Sequence, residues 1–197
     1  MTTHQDLAAR ALVLVEAIAH QTYDMPFKDN LRNRLALAAY GTAQEHQHAI
    51  AILVREQRLT SAFALLRSLW ESYIRATWLV HCVPEDELEK YTSSKLPEAS
   101  DVIKALTALP DFEFKVLSDF KGSHWSAMCD YAHTGALQLQ RWQGEEFIEP
   151  KHSVEEAAEV LHLAGLYGLL AAVGQAALAD DEGKALRLLD LAESLAL

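Results

Sequence analysis

From Thr60 to Val83 the chain reads TSAFALLRSLWESYIRATWLVHCV. Wound as a helix at about 100° per residue, it spreads Phe63, Leu65, Leu66, Leu69, Trp70, Tyr73, Ile74, Ala76 and Val80 over roughly two thirds of the circumference. Such a helix has no broad face to give to water, so other helices must pack around it. The remaining third carries Thr60, Ser61, Ala64, Arg67, Ser68, Glu71, Ser72 and Arg75. Arg67, Glu71 and Arg75 fall at i, i+4 and i+8, a plus-minus-plus stripe. This stripe is either a structural ion ladder or one wall of a site.

The rest of the chain supplies those packing partners. Alanine and leucine dominate and only 8 of the 197 residues are glycine, which favours helix throughout. The expectation is a single all-α domain over 1–197, a bundle of about seven to nine helices built on a central antiparallel pair. A first helix spans about Thr3 to His20, with Leu7, Ala11, Leu14, Val15 and Ile18 as its stripe. Asp29 or Asn30 caps a second reaching about Gln57, with a core line of Leu31, Leu35, Ala39, Thr42, His46, Ile50 and Leu53, and Gly41 permitting a close contact or a kink. The tight connection at Arg58 and Leu59 folds the second and third helices into a hairpin, with Thr60 or Ser61 as cap.

Pro84 ends the third helix, and Glu85, Asp86 and Glu87 open a short fourth. The pattern then weakens into Asp101 to Leu109 and Phe112 to Phe120. Ser123 is the expected cap of a further helix, which Thr134-Gly135 interrupts. Ser153 and Glu156 form a capping box opening a helix apolar all round to about Ala179, along which Gly165, Gly168, Ala172 and Gln175 offer a track of small residues. Asp181 caps a last helix whose Leu186, Leu189 and Leu195 close the bundle.

Composition bounds the function. A net charge of −11 opposes bulk binding to nucleic acid or anionic membrane. Arg67, Glu71 and Arg75 interrupt the best membrane-span candidate, and MTTHQDLAAR lacks the basic start and apolar centre of a signal peptide, so a soluble cytoplasmic protein is expected. Cys82 and Cys129 match no metal or redox spacing. Glycine-rich phosphate loops, G-x-S-x-G and HExxH are all missing, and no cofactor is called for. Trp70, Tyr73, Trp78, Trp125 and Trp142 alternate with aliphatics and read as core.

Three constellations carry chemistry. Arg67, Glu71 and Arg75 hold each other and suit a phosphate or carboxylate ligand. Asp130, Tyr131, His133 and Thr134 concentrate polar groups where a helix breaks, with His133 suited to proton transfer; the plainer alternative is a helix end capping its own carbonyls. Glu16, Glu45-x-x-His48, Glu71 and Glu159-x-x-His162 have the order of a ferritin-like di-metal site, but the second-helix pair lies off the stripe that holds His46, and His46 reads as a core histidine or ligand contact. No metal site is expected.

LLRSLWESYIRATWLVHC (Leu65 to Cys82) and CDYAHTGALQL (Cys129 to Leu139) together resemble an uncharacterised bacterial all-helical family of unknown function. More distantly the arrangement is similar to the HEPN group of helical nucleotide-binding and RNA-cleaving domains. Arg75 and His81 match the spacing of that group's arginine-histidine motif, with Ala76 where a polar residue is usual; Asp130 to His133 matches its end, with Met128 where arginine is usual. The resemblance implies that Arg67 or Arg75 supplies a cation beside His133, and it implies a homodimer, for which the long apolar helix is suited. It implies RNA or a nucleotide as ligand in a toxin or phage-defence setting. The competing expectation is a non-catalytic helical interaction or ligand-binding module.

Overall fold

The computed structural model describes residues 2–110, 115–143 and 147–194. Among the described residues eight α-helices follow one another: α1 (His4–Thr22), α2 (Leu31–Arg55), α3 (Leu59–His81), α4 (Ala99–Thr107), α5 (Lys115–Ala132), α6 (Ala136–Gln140), α7 (Val154–Leu178) and α8 (Glu182–Ser194). A 3-10 helix, Glu85–Thr92, lies between α3 and α4. The α2–α3 hairpin is the most extensive helix pair; α7 packs across α2, α1 and α3, while α4 and α5 cover α3 and α8 covers α7.

Several start signals in the sequence operate as local chemistry requires, but the expected Thr60 or Ser61 cap does not: α3 begins at Leu59, with Arg58 at its N-cap and no side-chain hydrogen bond there. Thr3 with Asp6, and Ser153 with Glu156, close capping boxes at α1 and α7, and the Asn30 side chain accepts from the Asn33 amide at 2.8 Å. Helix ends are less expected. Asp24, Gln57, Thr134 and Asp180 all take positive φ, 53° to 58°, just beyond α1, α2, α5 and α7. None is glycine. In three of these ends the following amide reaches back to close a Schellman turn: Arg58 N to Leu53 O, Gly135 N to Asp130 O and Asp181 N to Ala176 O.

Central α3 is buried along Leu66, Leu69, Trp70, Tyr73, Ile74 and Ala76, as its pattern requires, with Phe63, Leu65 and Val80 half-buried. Full burial of Leu69 and Ile74 stabilises by about 1.5–3 kcal/mol each before entropy is counted. On α2 the buried line is Asn33, Ala36, Tyr40, Ala43, Gln47, Ile50, Ala51 and Val54. This corrects the line through Thr42 and His46: Thr42 is exposed and His46 half-buried at its edge. Gly41 sits in an unbroken helix with nothing within 4 Å of where a Cβ would be.

Between α2 and α7 the small-residue track is filled from within the chain. A Cβ on Gly168 would lie 2.0 Å from Gln47 Oε1, and one on Gly174 would lie 2.4 Å from Tyr40 Cζ. α7 is long and apolar enough to cross a membrane, which corrects the expectation that no such stretch exists, yet α1, α2, α3 and α8 pack against it here.

Two further expectations fail. Ser123 starts no helix; α5 runs continuously through it, and its hydroxyl donates to Asp119 O one turn back. On α8 it is Leu188, fully buried with Leu14, Ile18 and Leu169, that closes the bundle, while Leu186 and Leu189 are exposed. Phe112 and Leu195 lie outside the described residues.

Candidate functional site

Arg67, Glu71 and Arg75 occupy the polar third of α3 where α5 approaches it. Each arginine projects from a helix turn adjacent to Glu71, so one carboxylate receives both: Arg67 Nε donates to Glu71 Oε1 at 2.8 Å and Arg75 Nη1 reaches Glu71 Oε2 at 2.6 Å. The three side chains are partly buried, at 21%, 13% and 22% exposed, which shields the pairing from solvent more than a surface ladder would be.

His133 comes to this ladder from α5. It is the residue at which α5 ends, held by its amide to Cys129 O, with Thr134 turning the chain just after it. Arg67 Nη1 lies 2.5 Å from His133 Nε2. A guanidinium has no acceptor, so Nε2 must present its lone pair and the ring's proton sits on Nδ1. Beneath them the Arg67 guanidinium lies 4.7 Å from the Trp125 ring centre, and Lys121 Nζ lies 5.4 Å from the same ring on its own helix. Trp70 supports Trp125 from the core at 5.7 Å.

An open groove of about 560 Å³ runs along this face, lined by Ser61, Ala64, Leu65, Arg67, Ser68, Glu71, Ala132 and His133. Serine hydroxyls and alanine methyls make its upper wall; the charged groups gather at one end. Beyond that end Lys95 pairs with Glu98 at 2.6 Å. The Glu98 carboxyl is held below the usual range chiefly by that lysine, with small contributions from Arg75 and Arg67.

Other expected ligand residues have structural tasks. Asp130 accepts from the Leu137 amide at 3.0 Å, capping α6, and its carboxylate fills the space a side chain at Gly135 would need. Gly135 therefore serves close approach, while Thr134 takes the left-handed turn position. Tyr131 is buried and stacked on Phe63 at 4.8 Å, with His152 on the same ring at 5.0 Å. His46 does not line the groove; burial pushes its pKa down.

Arg75 and His81 share one helix six residues apart, so their side chains diverge by about 120° and rise about 9 Å. For the ferritin-like alternative, Glu16, Glu45, His48, Glu159 and His162 are all exposed, and among the described residues no three histidine, cysteine or acidic side chains gather to hold a metal ion.

Trp125 and Lys121 were missed as site residues. Their signal was present: they stand at i and i+4 on α5, with His133 two turns further on. Trp142, expected in the core, is 38% exposed.

A family model described as a family of unknown function (DUF6988) matches residues 40–196, so from α2 onward nearly the whole bundle is covered. No curated protein and no solved structure matches.

Proposed function

The chain belongs to the DUF6988 family, and from the geometry of the α3–α5 groove we propose that it binds a phosphate-bearing ligand, RNA or a nucleotide, with His133 as the proton-transfer group. The observation that carries this reading is the 2.5 Å contact of Arg67 with His133, sixty-six residues apart in sequence, at the charged end of an open groove. A cation held by a carboxylate and an aromatic face, beside an imidazole lone pair, is the pairing that phosphate-ester chemistry needs.

In this reading the phosphate oxygens take the guanidinium donors of Arg67 and Arg75, with Glu71 fixing both arginines in place. As Arg67 turns to the phosphate, His133 Nε2 is released to accept the proton of a ribose 2′-hydroxyl. The freed oxygen attacks the adjacent phosphorus, the bond from phosphorus to the 5′-oxygen breaks, that oxygen takes a proton from water, and the proton on His133 neutralises the hydroxide left behind and restores the base. Arginine stabilises the charge that builds on the phosphorane oxygens.

A second reading has its own support. Arg67 is already satisfied by Glu71, His133 and Trp125, which suits a binding module that performs no chemistry. One experiment separates them. Purified wild type, His133→Ala and Arg67→Ala proteins are assayed for binding to and cleavage of a short single-stranded RNA, with thermal stability measured in parallel. The catalytic reading expects cleavage lost in His133→Ala with binding retained, and both lost in Arg67→Ala. Binding without cleavage in the wild type selects the module; neither binding nor cleavage overturns the phosphate reading.

A further inference from the structure

A second cleft, of about 400 Å³, opens between α1 and α2 and shares no lining residue with the α3–α5 groove. Its floor is aliphatic, formed by the buried Val15 and Ile18 of α1. The α2 wall carries Gln44 and Gln47, which stand at i and i+3 and so share a face of that helix. Glu45 and His48 are exposed at the rim. Tyr23, 76% exposed just past the end of α1, adds an aromatic ring.

Two donors on that wall are unused. Gln44 Nε2 and Gln47 Nε2 are both shielded from water and have no hydrogen-bond partner among the described residues. Gln47 is only 3% exposed, so its unpaired amide carries the penalty of a buried orphan donor. Its Oε1 and Cδ are the atoms nearest the place a Gly168 Cβ would take on α7, which leaves the nitrogen as the end further from that glycine. A ligand acceptor brought to this wall supplies what the chain does not. Terminal carboxamide torsions are broad, so small rotations carry both N–H groups to it.

Two donors, one acceptor and a ring define the ligand. Guanine presents O6 and N7 as adjacent acceptors on one edge, with N1–H and N2–H donors on the next. Glu45, beside Gln44 in sequence, is the acceptor for those donors. Bases stack on aromatic faces, and Tyr23 offers one at the mouth. Adenine instead pairs with a single carboxamide through both its oxygen and its nitrogen. At Gln47 the oxygen is packed against α7, which disfavours that pairing. No lysine or arginine is among the described lining residues, so recognition rests on the base.

We propose that the α1–α2 cleft is a second binding site, for the guanine base of a nucleoside. Gln44 and Gln47 donate to O6 and N7, Glu45 accepts from N1–H and N2–H, and Tyr23 stacks on the ring. This assignment stands whether or not the α3–α5 groove takes phosphate.

Proton–nitrogen NMR spectra of the full-length protein, recorded with guanosine, 7-deazaguanosine and adenosine in turn, report both affinity and place. Guanosine is expected to shift the amides of residues 15–23 and 44–48 and to bind at least about tenfold tighter than adenosine. 7-Deazaguanosine, with a carbon in place of N7, is expected to bind about fivefold weaker than guanosine. Gln44→Met and Gln47→Met keep the chain length and remove the donors, and each is expected to lose about fivefold in guanosine affinity. Tyr23→Ala loses at least about fivefold through stacking. Should Gln47→Met fail to fold, Gln44→Met and Tyr23→Ala, at side chains that are not fully buried, carry the same test.

Spectra undisturbed up to the solubility limit of guanosine overturn the proposal. So do adenosine affinity equal to that of guanosine, wild-type affinity in the Gln44 and Tyr23 variants, and shifts centred on the α3–α5 groove.

Discussion

The Arg67 guanidinium rests 4.7 Å from the centre of the Trp125 ring while its Nη1 meets His133, so one aromatic face on α5 backs the cation that the same helix's end engages. Trp125→Leu removes that face. The expected result is about fivefold weaker binding of a dinucleoside monophosphate, matching ~1 kcal/mol for a partly exposed cation–π contact. Trp125→Phe restores most of it. Calorimetric titration reads both, and equal affinity in wild type and Trp125→Leu refutes the positioning role.

Thr134 holds φ 57° at the end of α5, a conformation that costs a residue with a Cβ. Thr134→Gly is expected to stabilise the protein by about 0.5–1 kcal/mol in urea unfolding. Ligand affinity stays unchanged, because the side chain is a turn residue and not a ligand contact. A loss of affinity at constant stability reverses that assignment.

Glycine positions on the central helices separate by what faces them. A methyl group at Gly168 would lie 2.2 Å from Gln47 Cδ, in a side chain that is itself buried, and Gly168→Ala is expected to cost about 1–3 kcal/mol. Gly41→Ala meets nothing within 4 Å and is expected to stabilise by about 0.5–1 kcal/mol through helix propensity alone. Denaturant midpoints measure both, and the opposite signs are the prediction.

Arg32 on the first turn of α2 donates through Nη1 to Leu79 O at 2.5 Å and through Nη2 to Glu85 at 2.8 Å, tying α2 to the last turn of α3. Arg32→Ala removes a charged donor from a carbonyl at the helix end and is expected to cost about 1–2 kcal/mol. Glu85 is 72% exposed, so Glu85→Ala costs less than about 0.5 kcal/mol. Equal effects of the two substitutions in urea unfolding refute a role for the carbonyl contact.

Burial pushes the His46, His81 and His152 pKa values below the usual imidazole value. Unfolded, these groups take up protons as pH falls through about 6.5; folded, they resist. Stability contributed by keeping them neutral is therefore present above that pH and lost as pH drops toward their lower folded values. The urea midpoint should fall between pH 7.5 and 5.5, and His152→Phe, which preserves stacking on Phe63, should reduce that fall. A pH-independent midpoint contradicts the argument.

The fold was legible because helix periodicity is local. The two-thirds apolar surface of α3 required a wrapped central helix, the capping box at Ser153 marked a helix start, and the short link after α2 required a hairpin. Where the reading slipped, the deciding contact was distant. On α2 both the Thr42–His46 line and the Tyr40–Gln47 line have helical spacing, and it is α7, offering Gly168 and Gly174, that makes room for Gln47 and Tyr40. Leu188, rather than Leu186 or Leu189, is buried because α1 and α7 meet on that side of α8.

The same division runs through the candidate site. Sequence alone determined the Arg67–Glu71–Arg75 ladder, since i, i+4 spacing on one helix fixes it whatever the rest of the chain does. Only tertiary structure could bring His133 to Arg67, place Trp125 beneath the guanidinium and turn Asp130 away to cap α6. Helical spacing fixes which side chains share a face; which faces meet depends on how the helices pack around α3, and no local pattern encodes that.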